Sequence, residues 1–337
     1  MAVIRTNNQN QVVIWGETAF GTRPSPVAKG QQLPIIGHDL GRIQTVGKSR
    51  VIRGDPNLSQ PPRGRHRLEG RKLSVPIEKS AIGIPFYKML PSYGVAGAGD
   101  PYTHTFKLIG GAFHAAGRGV GFEIWDAEAA KGDNVLDGCA IIGVEGEINT
   151  DDTEAMLTFE VVGLGKGEWD SAARQQASPA TFTDPFFNMA DARVKIDTAL
   201  SDFVVSARFA FRLKASVRYV PNGDRFAKHI IVGGTDSCTV SLTALFDDAS
   251  TVRTLATGEA EHKVEFIFNH PTESATHNLS ILFPELMCYL SNVPAVGEGN
   301  EREVTVESTG YYQNGADATE MVVTLKNALA TYVGLMQ

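Results

Sequence analysis

The chain has 337 residues, 42% of them hydrophobic and 20% charged, with a net charge of −7. That is enough chain for two domains that each bury a core, and no apolar run approaches the roughly 20 residues of a membrane helix. The three cysteines, Cys139, Cys238 and Cys288, are odd in number and far apart, which argues for reduced thiols and against a disulfide framework.

Thirty-four glycines and sixteen prolines point to many turns, as in antiparallel β architecture. The first residues, MAVIRTNNQNQVVIWGE, lack the apolar core of a signal peptide. Residues 1–20 read as an arm ending in one strand-like stretch, residues 11–15. Gly21, Pro24, Pro26, Gly30 and Pro34 then break any regular element. A basic segment follows over residues 42–72, and QPPRGRHRLEG within it reads as an exposed loop. Alternation predicts strands over 71–77, 102–108, 120–125, 139–148 and 156–163. A short helix is expected between the first two, with Pro85 near its first turn, where a missing N–H costs nothing. A polar linker runs over 167–187. Beyond it, strands are predicted over 203–220, 237–245, 262–268, 278–283, 303–308 and 320–325. Asp247 or Asp248 is placed to cap a second short helix, whose Val252 and Leu255 lie on one face.

The halves echo one another. A strand runs into a short helix in each, Leu73 to Leu90 and Val240 to Leu255. Phe106 then matches Phe266, Ile124 matches Ile281, and Leu157 and Phe159 match Val323 and Leu325, all at offsets of about 160 residues. Such order predicts two tandem modules, 21–166 and 188–337, each an α+β unit dominated by antiparallel sheet.

None of the chemical motifs completes itself. Gly47-Lys48-Ser49 lacks the glycine five residues earlier that a phosphate loop needs, because position 42 is Arg. Gly163-Leu164-Gly165-Lys166-Gly167 has no following Ser or Thr for a magnesium ion, and Gly117-Arg118-Gly119-Val120-Gly121 precedes a strand instead of opening a helix. His270, Glu273 and His277 flank one turn and make a loop metal site conceivable, but two solvated histidines is the favoured reading. No serine sits in a nucleophile elbow. The residues therefore predict no enzyme, cofactor or metal.

The basic segment carries nine basic residues against Asp55 and Glu69, a local charge of +7 that leaves −14 on the rest of the chain. Single-strand nucleic-acid sites interleave aromatics with the positive charges, and no Phe, Tyr or Trp lies between Arg42 and Lys72. A contact with the acidic body of a neighbouring copy is preferred. Arg50, Arg53, Arg63, Arg65 and Arg67 are the residues assigned to it.

Several segments resemble tail tube proteins of long-tailed, siphovirus-like bacteriophages. They are Gly16-Glu17-Thr18-Ala19-Phe20-Gly21-Thr22 with its proline-rich loop, YTHTFK, the FEIW strand, Asp137-Gly138-Cys139-Ala140-Ile141-Ile142, and Leu157 to Gly163. The second half, from FTDPFF to Ala328, is similar to the C-terminal part of longer, two-domain members. The resemblance implies two tail-tube-like β-sandwich or β-barrel modules, each with a short helix. It implies a virion structural protein assembled in the host cytoplasm into rings that stack around a tape measure protein and conduct double-stranded DNA. Tail terminator and distal tail or baseplate proteins are further partners by resemblance, with no membrane involved. One-domain members make hexameric rings, so a duplicated chain needs three copies for pseudo-hexameric symmetry. A two-domain receptor- or carbohydrate-binding virion module is the alternative, and it calls for exposed aromatic platforms.

Overall fold

Alternation sets the strands. Ala207, Phe209, Phe211 and Leu213 are buried while Arg208, Arg212 and Lys214 are exposed, so one face of that segment meets the core and the other meets water. The structure is a computed structural model and describes residues 10–25, 27, 29–41, 43–46, 63–108, 119–126, 131–149, 154–171, 173–221, 225–245, 255, 261–290, 303–310 and 319–335. The fold is mainly β, a large antiparallel sheet with one α-helix among the described residues.

The first half contains β1 (Asn10–Gly16), β2 (Gln31–Leu33), β3 (Gly37–His38), β4 (Ile43–Val46), β5 (Arg63–Pro76), α1 (Gly83–Met89), β6 (Ser92–Ala96), β7 (Tyr102–Lys107), β8 (Val120–Asp126), β9 (Lys131–Asn149) and β10 (Met156–Ser171). The second contains β11 (Arg193–Ile196), β12 (Ala199–Leu200), β13 (Val204–Arg218), β14 (His229–Leu245), β15 (Glu261–Asn269), β16 (Asn278–Leu290), β17 (Glu303–Gly310) and β18 (Val322–Asn327).

Ladders run β2–β1–β8–β9–β10–β5 in the first half, and β5 then takes β3 and β4 along its far edge. The second half repeats the path as β12–β11–β15–β16–β17–β14–β13. In this scheme β15 takes the place of β8 and β16 that of β9. β17 and β18 together take the place of β10, pairing successive parts of one edge of β16. Sequence offsets had matched Phe106 to Phe266 and Leu157 to Val323. The ladders shift that correspondence because the β6–β7 hairpin sits between α1 and β8, whereas only residues 256–260 separate Leu255 from β15.

Among the described residues two ladders cross between the halves. β9 carries β8 along the first part of one edge and β13 along the rest, from Gly143↔Arg212 to Asn149↔Ser206. β18 pairs with β7, Phe106 opposite Val323. One hydrophobic core accordingly runs from Val12 to Tyr332. α1 caps it with Phe86, edge-on to Phe159 at 5.3 Å.

Most predicted strands are present, and several, such as β9, β14 and β16, run beyond their predicted bounds. The strand-like stretch expected over residues 11–15 is a strand, paired on both edges, with Val12, Val13 and Ile14 fully buried. The stretch from Arg63 to Gly70, read as loop, is the first part of β5, because pairing to β10 and β4 carries the ladder beyond the apolar residues that mark it in sequence. Residues 167–171, assigned to the linker, complete β10. The following segment is pinned to the first half by Gln31↔Ala180 and Glu78↔Phe186. Asp247, Asp248 and Val252 lie outside the described residues, while Leu255 is buried.

Candidate self-assembly surface

Two of the sequence signatures interlock. The Glu17 carboxylate accepts the Gly21 N–H at 2.7 Å and the Gly138 N–H at 2.6 Å, so the turn after β1 and the middle of β9 share one acceptor. Arg23 closes the same junction with a two-pronged contact to Asp137 at 2.9 and 2.7 Å. Gly21 and Gly138 both have positive φ, +74° and +69°, and a Cβ on either would run into Leu164. Burial pushes the Glu17 carboxyl up to about 7 despite its two hydrogen bonds. This junction holds β1 and β9 together around the buried Glu17 and Asp137.

The described part of the basic segment is β4 paired antiparallel with the start of β5. Arg50 and Arg53 lie outside the described residues. Arg63 and Arg67 are placed by their backbone on β5, opposite Val46 and Ile43 of β4. Arg65 is exposed, and its guanidinium lies 4.5 Å from the centre of the Tyr219 ring. Beside it His66 stacks on Phe226 at 4.9 Å, its N–H donates to the Arg225 carbonyl, and the Tyr219 hydroxyl donates 2.7 Å to the His66 carbonyl. The aromatics absent from residues 42–72 are thus supplied by the β13–β14 tip, more than 150 residues away. Counting aromatics along the segment gave no sign of them.

The outward face of the sheet is broad and polar. Across one row run Lys72 of β5, Glu160 of β10, Gly143 of β9, Arg212 of β13 and Ser237 of β14, each in register with the next. Lys72 Nζ lies 2.5 Å from Glu145, and Arg212 lies 2.9 Å from Glu160 and 3.9 Å from Asp236. Arg208 reaches Glu145 at 3.6 Å. These cations all face carboxylates. Gly143 has no side chain to stand between them, and a depression of about 140 Å³ opens there over Thr158 and Ala210. Further along the face lie Glu147, Thr239, Glu307 and Tyr289, whose hydroxyl donates to Glu307 at 3.2 Å. Individual exposed pairs contribute only about 0–1 kcal/mol, so the row matters for surface potential more than for stability.

The turn carrying His270, Glu273 and His277 is a polar junction. His277 lies 3.1 Å from Asp100 and 3.0 Å from Glu273, while Lys79 holds Glu273 at 3.2 Å and Asp184 at 3.4 Å. Among the described residues no group of three His, Cys, Asp or Glu is arranged to hold a metal ion, and no helix is long and apolar enough to cross a membrane.

The described residues form an antiparallel sheet that joins the two halves and turns a charged face to solvent, the architecture of a mainly β protein. A family model for the phage tail tube protein matches residues 7–310, and the chain belongs to that family. It is a structural subunit of a phage tail tube, a component of the virion tail. No curated protein matches the chain.

Proposed function

We propose that three copies of the chain form a pseudo-hexameric ring and that rings stack into a hollow tube through which double-stranded DNA passes during ejection. The observation that carries this reading is the repeated ladder order. β3/β4–β5–β10–β9 and β13–β14–β17–β16 are two equivalent four-stranded runs, joined edge to edge within one chain by β9 and β13. Such a chain is two successive members of a six-part ring, the product of an internal duplication, with modules at 21–166 and 188–337. Three chains give 24 strands, and at about 4.8 Å spacing and 40° tilt the backbone radius is about 24 Å, enough for a DNA duplex after side chains.

The polar face is the surface we assign to the bore. Lys and Arg that neutralise phosphates release counterions and hold DNA, whereas Lys72, Arg208 and Arg212 each face a carboxylate of the same sheet. The basic arm, including Arg50, Arg53, Arg63, Arg65 and Arg67, is assigned to contacts between rings. A tape measure protein inside the tube and terminator and distal tail proteins at its ends complete the proposed assembly. A receptor- or carbohydrate-binding role gains no support from Trp15 and Trp125, which are 1% and 8% exposed. Cryo-microscopy of the purified protein at increasing concentration tests the proposal. Three-fold rings and tubes with an open bore are expected, and a monomer stable at high concentration would overturn it.

A further inference from the structure

Five ionisable side chains from four separate segments meet where the two halves and the linker come together. Lys79 lies between β5 and α1, Asp100 in the turn between β6 and β7, and Asp184 in the segment before β11, while Glu273 and His277 lie in the turn between β15 and β16. Their contacts form one line of alternating sign. Asp100 lies 3.1 Å from His277 Nε2, and Glu273 lies 3.0 Å from His277 Nδ1. Lys79 Nζ continues the line, 3.2 Å from Glu273 and 3.4 Å from Asp184.

His277 is the link whose charge is conditional. It is buried, and both of its ring nitrogens face acceptors. Asp100 and Glu273 present carboxylate oxygens, and the Thr276 hydroxyl, 2.9 Å from Nδ1, already donates to the Glu273 carbonyl. A neutral imidazole carries one N–H and turns a lone pair toward one of the carboxylates, whereas imidazolium donates on both sides. His270 does not share this part. Its Nδ1 accepts the Glu273 N–H at 3.1 Å, its Nε2 meets no partner among the described residues, and burial lowers its pKa, so it stays neutral. Two further groups border the line. Glu78, beside Asp184, is pushed up by burial, and Lys326 of β18 stands opposite Asn278, the residue after His277.

We propose that His277 is the proton-carrying link of a clasp that holds the β6–β7 turn and the linker to the β15–β16 turn, and that loss of its proton releases the clasp as pH rises. The sign follows from the contacts: the folded chain favours imidazolium, so the clasp is complete at low pH and is lost as His277 deprotonates. Ionisation of Glu78 beside Asp184 adds a negative charge and acts in the same direction. The Asp100 and Glu273 side chains are 57% and 45% exposed, so water takes over their charge once the contact is broken. Release therefore loosens the turns and the linker locally and leaves the sheet folded. The clasp lies within one chain and works whether or not rings form.

The test is hydrogen exchange of the full-length protein read by mass spectrometry, with labelling times scaled to the intrinsic exchange rate at each pH across the imidazole titration. Peptides covering residues 97–102, 182–188 and 270–277 should gain exchange together as pH rises, by about fivefold or more in corrected rate, while 207–213 of β13 stays protected. His277→Gln carries no charge at any pH and should exchange at the open level throughout. Asp100→Asn keeps the histidine but removes one carboxylate that favours its charged form, so the transition should move to lower pH. Should His277→Gln fail to fold, the parent and Asp100→Asn profiles decide alone. Corrected rates in the parent that do not change with pH, or a transition that Asp100→Asn leaves in place, overturn the clasp.

Discussion

The hydroxyl of Tyr332 donates a 2.7 Å hydrogen bond to the carbonyl of Ser80, joining residues 252 positions apart in the chain. The same hydroxyl accepts from Asn327 Nδ2 at 2.7 Å, and the ring lies over Gly83, where a Cβ would fall 2.2 Å from ring carbon. Tyr332 of the second half is therefore buried in the first, against the start of α1.

That contact yields a stability prediction. Gly83→Ala forces either the ring or the helix start to move, and overpacking of this kind costs about 1–3 kcal/mol. Tyr332→Phe leaves the Ser80 carbonyl without its donor in a buried site, at about 1–3 kcal/mol. Both variants should unfold at lower temperature than the parent in calorimetry. The double variant should show less than the sum of the two losses, since the two residues are in contact.

Glu17 predicts a pH dependence. Its carboxyl is held at about 7 in the folded chain by burial, against 4.5 when unfolded. Between these values only the folded chain keeps the proton, so the contribution is fully present below about 4.5 and is lost as pH rises through 7, on the order of 3 kcal/mol at full extent. His38 and His104 act in the opposite sense, because burial lowers both and protonating the unfolded chain below 6.5 favours unfolding. The test is therefore the difference between parent and Glu17→Gln. The parent should lose ground to the variant as pH rises from 5 to 8, and parallel melting curves across that range would contradict the assignment.

The basic arm predicts a salt-sensitive assembly step. Changing Arg63, Arg65 and Arg67 together to Ser should leave rings intact and shorten or abolish tubes, with the parent showing the same defect as ionic strength rises. Arg65 also packs on Tyr219, so the triple variant should lose about 0.5–1 kcal/mol of stability from that contact. Normal tube growth by the variant at every salt concentration would remove the arm from the stacking contact. Loss instead of a tight interaction with free DNA would reassign it to nucleic acid.

The paired charges on the outward face predict a bore that does not retain DNA. Glu145→Gln with Glu160→Gln removes the carboxylates that face Lys72 and Arg208 and one of the two that face Arg212. Tubes should still form, but duplex DNA should bind them more tightly, by tenfold or more at low salt, and release as salt is raised. Unchanged binding in a filter or anisotropy assay would place this face away from the DNA path.

Much of the fold was legible as pattern. Strands such as Glu261–Asn269 and Val322–Asn327 bury every second residue, and a period of two survives without knowledge of neighbours. Arg63 to Gly70 escaped because only Leu68 in that stretch is both apolar and buried, and its strand state comes from the partners β4 and β10. The aromatic partners of the basic arm escaped for a related reason. Tyr219 and Phe226 reach Arg65 and His66 through the β13–β14 tip, and no local window contains both sides of that contact.

By itself the sequence determined strand periodicity, the short helix at Pro85, the uneven charge and the two turn signatures, because each is written in residues close together in the chain. Tertiary structure alone decided which strand stands for which in the second half, that one core serves both, and that Tyr332 closes over Gly83. Antiparallel strands of like alternation are interchangeable in composition. Only hydrogen-bond register and the volume available at a glycine distinguish one neighbour from another.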